Sequence, residues 1–245
     1  MRAKSNLLET PYWDQEWGKW FSRYSLGYPR LGVWLRLNYS RLCNTYLELG
    51  AGSGRESRYL AQFADQVSCV DFSPSVVELL KNSNPPHNLH AHVMNAFSLD
   101  LPDKTFDLSF HKGFWSYFES DDDIAMLFRE QLRVTKQYLI ILVHNASNTR
   151  MVADFGKKAV NDDLYNVRFF QPNKLKEHLE RQLSTLSVSA TLRLRKFGGL
   201  DRIYRLPCQP CLLGLRDVLL ANTYRFLPWS WAESIAVEVK LDGGT

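Results

Sequence analysis

The feature that most constrains this chain is a glycine at every second position, Gly50, Gly52 and Gly54. They stand directly after the apolar run Thr45–Leu49 and directly before a helical pattern opening at Arg55. Glycine turns the backbone sharply and lets a ligand approach the main chain without a Cβ in the way. At the carboxyl end of a parallel strand, such a turn lies where open α/β sheets bind ligands. The spacing discriminates between ligands. A dinucleotide fold asks for G-x-G-x-x-G/A, and counting from Gly50 and Gly52 places Arg55 at the third glycine, where close helix–strand packing needs a small residue. Glu48 in the approach strand has nothing to offer a pyrophosphate. Both points argue against an NAD-dependent oxidoreductase.

From residue 45 onward short apolar runs alternate with helical periodicity, the pattern of a parallel sheet wrapped by helices. Strands are expected at Thr45–Leu49, Gln66–Val70, Leu89–Met94, Phe106–Phe110, Tyr138–His144, 191–196 and Ser234–Leu241. Helices are expected at Arg55–Ala64, Pro74–Asn82 with Ser73 as N-cap, Asp122–Val134 and 172–183. Ahead of them, Trp13, Trp17, Trp20, Phe21 and Tyr24 follow helical spacing and form one apolar face, either core packing or a cover over a site. With 45% hydrophobic and 23% charged residues, the chain is outside the disordered class. Its net charge of +4 is too small to argue by itself for nucleic acid or a membrane. No apolar segment has the length of a signal peptide or a membrane span, so the expected location is cytoplasmic.

The turn Glu48-Leu49-Gly50-Ala51-Gly52-Ser53-Gly54 resembles motif I of the class I S-adenosylmethionine-dependent methyltransferases, small-molecule type 11/25-like. Three further stretches match in order: Val67–Val70 ending in Asp71 and followed by Phe72-Ser73-Pro74, nineteen residues after Gly52; then Val93–Phe97; then Leu101–Leu108 leading into the loop 111–118. The resemblance covers residues 45–145 well and the remainder in outline. It implies a Rossmann-like α/β fold with a seven-stranded, mostly parallel sheet in the order 3-2-1-4-5-7-6. The last strand would be antiparallel and helices would cover both faces. The implied organisation is an N-terminal helical lid over 1–40, a cofactor-binding core over 41–196, and an acceptor-side insertion with the closing strand over 197–245.

Carried over residue by residue, the resemblance gives Glu48, Gly50, Ala51 and Gly52 to the methionine end of S-adenosylmethionine. Asp71 goes to the ribose and Phe72 to the adenine face. Asn95, Ala96 and Phe97 go to the adenine edge, and His111 to the methionine moiety through its backbone. Two positions depart from the family pattern: Asn95 stands where an aspartate is usual, and Val134-Thr135-Lys136-Gln137 replaces a Pro-Gly-Gly turn. If the acceptor needs a base, Tyr117, His144 and His111 are the candidates, with Glu119 nearby. No metal is implied.

The implied activity is methyl transfer to an O or N atom of a small molecule, with S-adenosylhomocysteine as product. The partner is then the acceptor, and the protein a monomer or homodimer without a membrane span. The alternatives are tRNA or rRNA methylation and a catalytically inactive cofactor-binding partner protein. The cations Arg193, Arg195, Lys196, Arg202 and Arg205 read as a solvated strand and loop, or as a hold for an anionic acceptor. Cys208 and Cys211 form a lone C-x-x-C without the second ligand pair that zinc requires.

Overall fold

The computed structural model describes residues 10–199 and 213–243. Seven strands run in the order β3-β2-β1-β4-β5-β7-β6. They are β1 (Thr45–Leu49), β2 (Gln66–Asp71), β3 (Leu89–Val93), β4 (Phe106–Lys112), β5 (Thr135–His144), β6 (Ala190–Phe197) and β7 (Ser234–Leu241). β1 pairs in parallel with β2 and β4, and β2 with β3, whereas β7 runs antiparallel to β5 and β6. This is the order and the single reversal that the resemblance implies. Among the described residues no helix is long and apolar enough to cross a membrane.

The described residues divide into two compact units. One runs to His111 and includes Met126–Lys136; the other comprises Lys112–Ala125 and the chain from Gln137 onward.

The first unit holds α1 (Thr10–Ser25), α2 (Arg30–Tyr39), α3 (Arg55–Leu60) and α4 (Pro74–Asn82) around β1–β4. Strands covered on both faces read as continuous apolar runs, and Tyr46, Leu47, Leu49, Val67, Cys69, Val70, Leu108 and Phe110 are all buried. α3 stops at Leu60, short of the expected Ala64, because the Asn88 amide donates to the carbonyls of Ala61 (2.9 Å) and Ala64 (2.8 Å) and holds them in a turn. The loop before β4 is pinned to the end of α5 (Asp121–Val134). Lys104 Nζ reaches the carbonyls of Leu132 and Thr135, and the Arg133 guanidinium reaches those of Leu99 and Leu101. α5 passes straight into β5 with no intervening turn. Thr135 Oγ1 donates to the Gln131 carbonyl (2.6 Å) and lies 2.6 Å from Ser109 Oγ, so this one side chain closes the helix and fixes the strand start.

In the second unit, β7 lies between β5 and β6, with α6 (Thr149–Lys158), α7 (Pro172–Thr185) and α8 (Leu213–Thr223) following in chain order among them. The fully buried Asn145 donates from Nδ2 to the carbonyls of Trp229 (2.7 Å) and Ala232 (2.9 Å), which seats the entry to β7. α6 has no fully buried residue; its apolar side is the short set Met151, Val152 and Phe155, with Phe155 packed against His144, Tyr165 and Phe169.

Candidate functional site

In the first unit the three alternating glycines are all left-handed, with φ of 60° at Gly50, 52° at Gly52 and 60° at Gly54. The resulting crook is fastened to the neighbouring strand. Ala51 N–H donates to the Val70 carbonyl (3.1 Å), and Gly52 N–H donates to Asp71 Oδ2 (3.0 Å). Asp71 ends β2 and is buried; its other oxygen accepts from Ser73 N–H (3.1 Å). Burial raises its pKa above the ordinary carboxylate value, backbone N–H groups of Gly52, Ser73 and Phe72 oppose that rise, and nearby Asp14 adds to it. A carboxylate has about four lone-pair sites, so these three bonds leave about one for a ligand hydroxyl.

The strand beyond follows the same anchor, since Met94 N–H donates to the Asp71 carbonyl (3.0 Å). Asn95 then forms an Asx turn, its Oδ1 accepting from Phe97 N–H (3.0 Å), with Ala96 and Phe97 half-buried behind it. The Asn95 oxygen therefore serves the turn and retains one lone pair. The structure thus brings Gly50, Ala51, Gly52, Asp71 and Asn95 to one end of the parallel strands. Phe72 is half-buried beside them in sequence. Glu48 is directed elsewhere in part: its Oε2 accepts from Ser57 Oγ (2.5 Å) and Ser57 N–H (3.2 Å), capping α3 from beneath the turn. His111, near the end of β4, is fully buried, and burial holds its imidazole neutral with a pKa near 3. That position suits a backbone contact better than proton exchange.

α1 lies over the crook. A Cβ built on Gly52 would fall 2.2 Å from Cζ2 and 2.6 Å from Cη2 of Trp17, so the indole rests on the glycine itself. Of the aromatic stripe, Trp13 and Phe21 are buried core, Trp17 and Trp20 are half-buried, and Tyr24 is exposed, so the stripe is both core and cover. Two features missed by sequence reasoning hold the helix there. Ser73 Oγ accepts from Val76 N–H (3.1 Å), capping α4, and simultaneously donates to Asp14 of α1. Arg55 reaches the Tyr24 carbonyl (3.3 Å) and pairs with Glu56 (2.9 Å), whose Oε2 accepts from Gly32 N–H (2.9 Å) at the start of α2. The Ser-Pro start of α4 signals the cap, but no sequence pattern signals Asp14 as its second partner.

The second unit holds Tyr117 and His144. Gly113 (φ 75°) leads into a 3-10 turn, Phe114–Tyr117, and the Tyr117 hydroxyl donates weakly to the Leu164 carbonyl (3.5 Å). His144 ends β5 with Nδ1 2.8 Å from Ser116 Oγ, and its ring lies against Phe155 (5.3 Å) and Phe169 (5.6 Å). Burial pushes its pKa down to about 4, with Glu233 opposing and Lys112 assisting. Cys208, Cys211, Arg202 and Arg205 lie outside the described residues. Among the described residues no cluster of side chains could hold a metal ion.

Residues 47–141 match the family model described as "Methyltransferase domain". Over 96 residues the chain is 36% identical to phosphoethanolamine N-methyltransferase 3 of Arabidopsis thaliana; the match takes in 38% of this chain and 19% of that protein. A solved SAM-dependent methyltransferase from Archaeoglobus fulgidus superposes with a TM-score of 0.62 at 16% identity, over 90% of this chain and 97% of that one. The plantazolicin methyltransferase BpumL, solved with SAH and a triazolic analog, gives 0.62 at 13% identity over 93% and 90% of the two chains. Magnesium protoporphyrin IX methyltransferase from Synechocystis, also solved with SAH, gives 0.55 at 10% over 86% and 80%. The chain has the fold of the class I methyltransferases, and residues 47–141 match the methyltransferase-domain model.

Proposed function

We propose that this chain transfers a methyl group from S-adenosylmethionine to an oxygen or nitrogen of a small-molecule acceptor and releases S-adenosylhomocysteine. The observation that carries the reading is the coupling of Asp71 to Gly52, a buried carboxylate bonded to the N–H of a left-handed glycine turn at the end of a parallel strand. The residues suit the cofactor. Asp71 keeps about one lone pair for a ribose hydroxyl, the crook offers main chain to the methionine end, and Asn95 keeps one lone pair for an exocyclic amine.

Bound S-adenosylmethionine supplies a methyl on a sulfonium, so the protein's share is orientation, exclusion of water and, for some acceptors, removal of a proton. Trp17 over Gly52 excludes water from the crook. Glu48, fixed by Ser57, places negative charge under the turn, favourable to a cationic ligand. His111 contributes its backbone beside the methionine end. Where a base is required, Tyr117 and His144 of the second unit are the candidates, Ser116 orienting Nδ1 of His144; with burial holding its pKa at about 4, His144 is a weak base at neutral pH. The name of the Arabidopsis relative supports an amine acceptor.

Calorimetric titration tests the reading, with S-adenosylhomocysteine expected to bind and NAD not. Asp71→Asn should weaken binding by about 10- to 100-fold, the worth of hydrogen bonds to a charged group. A labelled-methyl screen against metabolite fractions and tRNA then identifies the acceptor. Absence of S-adenosylhomocysteine binding, or binding indifferent to Asp71→Asn, refutes the assignment.

A further inference from the structure

One helix of the second unit has three of its described apolar side chains exposed to solvent. In α8, Leu215, Val218 and Leu219 follow i, i+3, i+4 spacing and are 57%, 41% and 56% exposed. Arg216 and Asp217, between them in sequence, are half-buried and paired at 3.3 Å. An ordinary surface helix shows the reverse. The segment that follows continues the trend, with Phe226 73% and Trp231 62% exposed. Single exposed apolar residues are normal, but five within 215–231 need a reason.

Cations accompany them. The Arg225 guanidinium lies 4.6 Å from the Phe226 ring centroid. Lys196 of β6 reaches over the Trp229 ring (5.8 Å) and donates to the Arg225 carbonyl (3.5 Å). Among the described residues here Arg216 is paired with Asp217, so Lys196 and Arg225 supply the positive charge beside the apolar face.

We propose that this face docks on an anionic lipid surface. Leucine, valine and aromatic side chains with flanking arginine and lysine suit insertion to headgroup depth, the cations lying among phosphates. α8 has 11 residues, too few to span a bilayer, so it lies in the interface plane. Charge decides against a second copy as the occupant. A two-fold contact sets the same patch against itself, so the basic excess would meet its own like charge, whereas anionic headgroups neutralise it.

The test is co-sedimentation of the full chain with phosphatidylcholine vesicles, neutral or carrying about 30% phosphatidylglycerol. The chain should pellet at least about ten-fold better on the anionic vesicles, and raising salt from about 0.05 M to about 0.5 M should release it through screening. Leu219→Ser with Phe226→Ser, both at exposed positions, should lower pelleting roughly ten-fold with the circular dichroism spectrum unchanged. Lys196→Glu with Arg225→Glu should remove the preference for anionic vesicles. Equal pelleting on both vesicle types, none on either, or indifference to both double variants overturns the proposal. So does a dimer by light scattering that the serine variant dissolves in a chain that ignores lipid. Methyl transfer does not enter the readout, so the outcome is independent of the activity assignment.

Discussion

Gly52→Ala probes the contact between α1 and the glycine crook. The perturbation has two separable parts. Gly52 sits at φ 52°, and placing an L side chain in that left-handed region costs about 1–2 kcal/mol. The new methyl would also lie 2.2 Å from Trp17 Cζ2, far inside van der Waals contact, so the indole or the helix bearing it must shift. Overpacking of that kind costs about 1–3 kcal/mol, giving about 2–5 kcal/mol together. Only the second part depends on Trp17. In a Trp17→Ala background, therefore, Gly52→Ala should cost only the backbone part, and the double-mutant cycle should return a coupling of about 1–3 kcal/mol. Urea unfolding of the four proteins, followed by circular dichroism so that loss of an indole does not alter the probe, measures it. In a chain of this size each kcal/mol also lowers Tm by about 2–4 °C. An equal cost of Gly52→Ala in both backgrounds would refute the placement of Trp17 on the turn.

Other expectations follow from neighbouring groups. Ser73→Ala removes the cap of α4, worth about 1 kcal/mol, together with the bond to Asp14. The total loss should be about 1–3 kcal/mol, and Asp14→Ala should recover little further cost once Ser73 is gone. For pH, His111 and His144 titrate near 3 and 4 in the folded chain because of burial, below the ordinary value of about 6.5 that applies when unfolded. The unfolded chain therefore binds more protons below about pH 6.5, and stability falls as pH drops toward 4. Urea midpoints at about pH 7, 6 and 5 should decline in that order, and His144→Asn should flatten the slope; a slope unchanged by that substitution would show His144 to be solvated.

The sheet and the glycine crook were legible because their physics is local. Continuous apolar runs mark doubly covered strands, alternating glycines mark the crook, and Ser73-Pro74 marks a capped helix. Asp71 was legible only through its spacing from the glycines. What stayed hidden depends on tertiary partners. α3 ends early because Asn88, far along the chain, captures its last carbonyls. α6 is short and has only Met151, Val152 and Phe155 as its apolar side, none fully buried, too brief a pattern to stand out. The stripe from Trp13 to Tyr24 announced a helix but not which ring would land on Gly52, since that depends on the Asp14–Ser73 bond. The missing Pro-Gly-Gly turn has a physical substitute that no motif describes, the Thr135 hydroxyl bonded back onto α5.

Arg55 carries a consequence beyond its own contacts. It occupies the position where a nucleotide-pyrophosphate fold needs a hydrogen-sized residue, and from there it grips the end of α1 while steadying the carboxylate that receives α2. Trimming it to glycine in search of a new ligand preference would remove one tether of α1 and the cation beside Glu56, leaving the Asp14–Ser73 bond and the buried Trp13 and Phe21 to hold the helix. In this chain, what the turn can bind and how its roof is tethered are one property, and neither can be altered without disturbing the other.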